Sequence, residues 1–264
     1  MKTGKRFAAF TALFLLVAML STGVGATGEA GWYVCRRADH KQPTLDAAQE
    51  FITSYDAYYV DKNHGDDCED KVLYLTFDAG YENGNVAKIL DVLKEENVPG
   101  AFFILKNLIR HDLPLVRRMK DEGHLVCNHT MNHKDMTKCD AETFKAELEG
   151  LSAMYREALG EEMPAYYRPP EGRYSKENLE CARALGYKTI FWSFAYADWD
   201  NAKQPSQAAA KKKILDNTHN GAVILLHPTS ATNAAILRDL IESWRAAGYR
   251  FGTLDELTGK CEGR

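Results

Sequence analysis

The sequence has no CxxC pair, no glycine fingerprint or phosphate loop after an apolar run, no internal repeat, no low-complexity linker and no block of like charge. Each absence narrows the field. Without the glycine motifs, a nucleotide-binding open sheet has nothing to hold a pyrophosphate. With a formal charge of −4, the chain lacks the basic footprint of a nucleic-acid binder and has no attraction to an anionic membrane. Past residue 26 no run is apolar and long enough to read as a membrane span. Cysteine is scarce for the chain's size. Six are scattered through 264 residues, which is no disulfide scaffold. A Cys35–Cys68 bridge would pin the N-terminal segment, whereas Cys127 and Cys181 lie in apolar stretches where a buried thiol is expected.

What is present begins with a targeting pattern. Lys2, Lys5 and Arg6 precede an uncharged apolar run over 7–20, and Val24-Gly25-Ala26 has the small-x-small form of a cleavage site. Residues 1–26 read as a signal peptide, too short in its apolar part for a full span of roughly 20 residues. Cleavage would remove three positive charges and no negative ones, taking the net charge from −4 to −7. The expected product is a secreted or cell-wall-associated monomer with no membrane contact after cleavage.

Residues 27–70 read as an irregular extension with one helix near 44–59, whose Tyr55, Tyr58 and Tyr59 pack on the main domain. From 71 to 264 short apolar runs alternate with helical patterns. The runs fall at 72–77, 101–105, 124–127, 165–167, 188–194, 222–226 and 250–253. The helices fall at 86–96, 113–122, 141–159, 176–185, 206–218 and 232–247, with Asp140 and Ser175 as N-caps and Gly160, Gly186 and Gly248 as stops. This alternation predicts an α/β architecture with parallel strands in a barrel-like (β/α) arrangement.

In such folds the strand C-termini share one mouth, where the chemistry sits. Asp78 follows the first run. His129 and His133 follow the third in CNHTMNHKD, and Arg168 the fourth in YYRPPEGRYS. Asp198 and Asp200 follow the fifth in FWSFAYADWD, and His227 the sixth in VILLHPTS. Each alone has a bland reading: a helix cap, a surface arginine, a core or solvated histidine. Their convergence on one rim is the signal. Arg168-Pro169-Pro170 fixes the backbone beside a guanidinium, and the i,i+4 histidines can aim two imidazoles at one ion.

In this order, TFDAG, HTMNH, RPPEG, ADW and LLH resemble the five motifs of the polysaccharide deacetylase family, the NodB-type domain of carbohydrate esterase family 4. YLTFDAGYENG and RPPEGRYS are most similar to the subgroup that deacetylates muramic acid in peptidoglycan, including delta-lactam-forming enzymes. The resemblance implies a distorted (β/α) barrel of seven or eight strands. It implies that Asp78 is the general base, Arg168 its orienting partner, His227 the general acid and Asp198 its support. His129 and His133 would be metal ligands, for Zn, Mn, Co or Mg. Tyr81, Glu171, Arg173, Tyr174 and Trp199 are candidate glycan contacts, with Trp192 assigned to the core. The expected substrate is peptidoglycan, most specifically N-acetylmuramic acid. The alternatives are a chito-oligosaccharide or O-acetylated polysaccharide deacetylase, and a degenerate barrel that binds glycan without turnover.

Ala79 departs from the family pattern, which has a metal-binding aspartate there. A methyl group ligates nothing. Either Asp78, Glu82 or Asp135 substitutes, or two histidines with water and substrate hold an ion weakly, or no ion is used.

Overall fold

The computed structural model describes residues 30–259, so the signal peptide expected at 1–26 and Cys261 lie outside the described residues. The strands in chain order are β1 (Ala30–Gly31), β2 (Ala57–Tyr58), β3 (Lys71–Ala79), β4 (Ala101–Ile104), β5 (Leu125–Asn128), β6 (Tyr166–Tyr167), β7 (Arg173–Tyr174), β8 (Lys188–Ile190), β9 (Ala222–Leu226) and β10 (Tyr249–Phe251). The α-helices are α1 (Val86–Glu95), α2 (Lys106–His111), α3 (Leu113–Asp121), α4 (Ala141–Leu159), α5 (Lys176–Ala184), α6 (Gln207–Asp216), α7 (Ala231–Ala246) and α8 (Leu254–Leu257). All seven expected runs and all six expected helices form. The short α2 and α8 and the two-residue strands β1, β2 and β7 carry no period long enough to be read from sequence.

Eight strands make one sheet in which every named pairing is parallel, in the order β10-β3-β4-β5-β6-β8-β2, with β9 also on β3. The long β3 is its spine. β9 pairs along Leu73–Phe77, while β10 and β4 take Lys71–Leu73 and Thr76–Ala79. Single-residue bridges then reach β9, Phe194 to Ile224 in the chain after β8 and Val60 to Ala222 in the chain after β2. Closure through isolated bridges rather than a full strand pairing makes this a distorted barrel.

Alternation along β3 separates two apolar layers. Leu73, Leu75, Phe77 and Ala79 join a cluster with Ile89, Leu93, Val116, Ile236 and Trp244 between strands and helices. Val72 and Tyr74 join Phe103, Cys127, Tyr166, Ile190 and Val223 inside the ring, and Leu254 and Leu257 of α8 close its floor. Thr76 and Asp78 share the inward parity of Val72 and Tyr74. That is how the sheet aims Asp78 into the mouth.

The N-terminal segment is part of this fold. The helix expected near 44–59 is a 3-10 helix, Ala47–Ser54, capped by the Asp46 carboxylate on the Ala48 N–H, and the following residues form β2 on β8. Tyr55 and Tyr59 are buried and Tyr58 half-buried. Trp32 stacks on Phe191 at 4.2 Å and donates its indole N–H to the Trp192 carbonyl at 2.8 Å. Cys35 and Cys68 are free thiols, so the bridge considered above does not form. Cys127 is buried and Cys181 only partly so.

Trp32→Ala is expected to cost about 3–5 kcal/mol of unfolding free energy in urea, because it opens a cavity against Phe191 and strands the Trp192 carbonyl. A loss under about 1 kcal/mol would show that the segment unfolds independently of the barrel.

Candidate active site

Arg168 follows β6 and is wholly buried (0% exposed), with its guanidinium committed on every side. Nε donates to the Ile190 carbonyl at 2.9 Å, Nη2 to Thr76 Oγ1 at 2.9 Å and to the Phe191 carbonyl at 3.3 Å, and Nη1 to Asp78 Oδ1 at 2.8 Å. Its plane lies 4.1 Å from the Phe103 ring centroid. Burial pulls the guanidinium below its ordinary range while Asp78 opposes that pull. Arginine starts above pH 12, so it stays charged.

Burial also works against the Asp78 anion, but neighbouring His129 and Arg168 outweigh it and hold the carboxyl below the usual aspartate range. His129 itself is pushed down to about 4, chiefly by burial. At neutral pH it is uncharged, so the permanent charge of Arg168 is what keeps Asp78 ionised.

His129 donates from Nδ1 to the Arg168 carbonyl at 2.9 Å, which fixes its tautomer and leaves the Nε2 lone pair 3.5 Å from Asp78 Oδ2. His133 sits with its ring centroid 5.0 Å from that of His129. The loop between them is strained: Thr130 has φ 72° and His133 φ 54°, both left-handed and, for a β-branched threonine, costly. Asn128 and Glu147 hold it there. Asn128 accepts the Thr130 N–H at 2.9 Å and donates to the Leu148 carbonyl, also at 2.9 Å. Glu147 takes both the backbone N–H and the amide of Asn132.

Across the mouth, His227 Nδ1 meets Asp198 Oδ1 at 2.7 Å, and Asp198 Oδ2 accepts the His227 backbone N–H at 2.9 Å. Burial favours the neutral ring, but the bond and charge of Asp198 outweigh it and raise His227 above the usual histidine range. Trp199 (60% exposed) and Tyr81 (49% exposed) stand at this rim. Trp199 is edge-on to His227 at 6.1 Å, and Tyr81 accepts from Asn201 at 2.8 Å.

The four expected catalytic side chains and both histidines therefore gather at one mouth. Tyr174 does not join them. It is 1% exposed, packed edge-on to Phe191, with its hydroxyl accepting from Gln49, because β7 turns it under the N-terminal cover. Glu171 and Arg173 lie on the exposed turn after Arg168, paired at 3.0 Å, and Arg173 also reaches Asp135 at 2.8 Å. Gly172 (φ 66°) is needed there, since a Cβ would come within 2.8 Å of Trp192 and 2.9 Å of Trp32. Trp192 packs in the core as expected. Of the three acids considered as a replacement ligand, Asp78 lies 3.5 Å from His129 Nε2, whereas Glu82 and Asp135 are engaged elsewhere. Glu82 caps α1 through the Gly84 and Ala87 N–H groups, and Asp135 caps Thr137 and pairs with Arg173 and Lys138. Asp200 caps a turn at Ala202. Sequence reading missed Thr76, Asn128, Asn233 and Tyr196. Only Thr76, a hydroxyl two residues before Asp78 on the same strand face, carried a readable signal.

The polysaccharide deacetylase family model matches residues 65–190. PdaA of Bacillus subtilis, a peptidoglycan-N-acetylmuramic acid deacetylase, is 36% identical over 256 residues, covering 94% of this chain and 95% of that protein. An uncharacterized 30.6 kDa protein of Geobacillus stearothermophilus is 40% identical over 229 residues, covering 86% and 84%. The solved structure of B. subtilis PdaA, a family 4 carbohydrate esterase, superposes with a TM-score of 0.83 at 35% identity, covering 89% of this chain and 98% of that one. With the family model matching residues 65–190 and a relative 36% identical over nearly the whole chain, the chain belongs to the polysaccharide deacetylase family.

Proposed function

We propose that this enzyme is an exported de-N-acetylase of peptidoglycan, acting on N-acetylmuramic acid by general acid/base hydrolysis. The observation that carries it is the opposed pair in one mouth: a carboxylate paired with the buried Arg168, and an imidazole whose hold on its proton Asp198 strengthens. The relative with the matching name covers nearly the whole chain. Among the described residues no helix is long and apolar enough to cross a membrane.

Amide hydrolysis needs an activated water, a stabilised oxyanion and a protonated leaving nitrogen. Asp78 takes the proton of the attacking water, with Oδ1 pinned by Arg168 and Oδ2 turned to the mouth. His227, whose Nδ1 is engaged with Asp198, gives a proton from Nε2 to the departing sugar nitrogen. In the RPPEG turn the Gly172 and Arg173 amides go to the Pro169 and Pro170 carbonyls, and neither proline has an N–H. Glu171 N–H is then the amide of this turn suited to the oxyanion. Trp199 and Tyr81 offer ring faces to the sugar.

Members of the family are typically metal-dependent. Among the described residues no group of three His, Cys, Asp or Glu side chains is arranged to hold an ion. Ala79 lies in the apolar layer facing the helices and contributes no donor. His129 and His133 still fit a divalent cation as two imidazole donors. The His129 ring is oriented by its Nδ1 bond to the Arg168 carbonyl, and its Nε2 lone pair faces the Asp78 carboxylate with no proton between them. When bound there, such an ion polarises the carbonyl and acidifies water. With two imidazoles in place of a full set, we infer weak binding.

Acetate release from N-acetylmuramoyl glycan is expected to exceed that from chito-oligosaccharides. The reverse order of kcat/KM would favour the chitin-type reading, and glycan binding with no release from either would favour a non-catalytic barrel. Asp78→Asn should lower kcat by about 10³-fold. The kcat/KM profile should be bell-shaped. Its acid limb falls below the usual carboxylate range, because Asp78 must lose its proton and holds it weakly. Its alkaline limb lies above the usual histidine value of about 6.5, because His227 must keep its proton and holds it strongly. Calorimetric titration of metal-stripped protein with Zn²⁺ should give one weak event, weakened by at least about tenfold in His133→Ala. A tight event that survives His133→Ala would place the ion elsewhere.

A further inference from the structure

The acid half of the site depends on a residue outside the family motifs. Asn233 lies in the first turn of α7 and is buried. Its amide nitrogen donates to Asp198 Oδ2 at 2.6 Å and to the His227 carbonyl at 3.1 Å. A primary amide has two N–H groups, so both bonds form together. Its Oδ1 accepts the buried Tyr196 hydroxyl, which fixes which end of the amide faces the carboxylate. Reversed, the amide would set an oxygen against the Asp198 anion. Asp198 Oδ2 is thus filled by Asn233 and by the His227 backbone N–H, and Oδ1 alone is left for the imidazole.

We propose that Asn233, oriented by Tyr196, is a positioning residue for the general acid, holding Asp198 Oδ1 against His227 Nδ1 and tying the His227 main chain to α7. It touches neither water nor sugar and acts only through Asp198 and His227. Other charged groups facing the imidazole are Asp78 and Arg168, on β3 and after β6, and neither contacts Asn233 in the hydrogen-bond network. The Asn233 backbone N–H is separately bonded to Ser230 Oγ at 3.1 Å, as part of the α7 cap. The side-chain bonds to the acid pair are additional to that cap.

The inference rests on His227 being the acid, so the test includes His227→Gln. In Asn233→Ala, kcat is expected to fall about tenfold with KM within about twofold, and the alkaline limb to move to lower pH. NMR titration of the His227 ring should show the same downward move, and that reading needs no substrate. Tyr196→Phe, which keeps both donors but frees the amide to turn, should show a smaller shift of the same sign. It decides the matter if Asn233→Ala does not fold. Thr253→Ala, which removes the α8 cap on Glu256 N–H and has no bond to Asp198, His227 or Asn233, should lower the melting temperature without moving the limb or the ring titration. An unmoved His227 titration in Asn233→Ala and Tyr196→Phe would overturn the assignment, as would identical behaviour of Asn233→Ala and Thr253→Ala. His227→Gln that keeps wild-type kcat would instead overturn the acid role itself.

Discussion

The site depends on one buried ion pair, Arg168 with Asp78. A fully buried guanidinium is costly, and a buried pair is often no more stabilising than an apolar replacement. Here the expense is offset by saturation: two backbone carbonyls, the Thr76 hydroxyl and the carboxylate accept from it, and an aromatic face covers it. Four strands are joined through that one side chain, since it follows β6 and reaches β3, the chain beyond β8 and the β4 phenylalanine. The pair sets the charge of Asp78 and the geometry of the mouth at once. Even the His129 tautomer follows from it, through the Arg168 carbonyl.

The two halves of the site are built differently. The Asp78 half is a ring of strand ends, with a strained histidine loop pinned by Asn128 and Glu147. The His227 half hangs on β9 and the loop after β8, which meet through a bridge at Phe194–Ile224 and backbone bonds from Ser193, Phe194 and Leu225. Side chains complete the positioning there, in a dense set of bonds around Asp198 from His227, Asn233 and, at its carbonyl, Gln204.

The departure at Ala79 sharpens the division of labour. A methyl group there leaves Asp78 and its bond to Arg168 untouched, because Asp78 and Ala79 lie on opposite faces of β3. Glu82 and Asp135 offered substitutes on paper. Each is spent on local structure, one capping α1 and the other capping a 3-10 turn while pairing with Arg173.

The sequence by itself determined the alternation of strands and helices, the polar groups at the strand ends and the motif order, because each is written in local periodicity or in contiguous residues. It also placed Thr76 on the face of Asp78, although that hint went unread. Tertiary structure alone decided that Tyr174 turns under a cover made by Trp32 and Phe191, and that the N-terminal segment adds a strand to the barrel. It alone brought Asn233 to Asp198 and to Tyr196. Those two bonds span 35 and 37 positions, and Trp32 meets Tyr174 from the far end of the chain, through hydrogen bonds and ring contacts that have no local period. Chain closure, rather than any pattern along the chain, sets which of them meet.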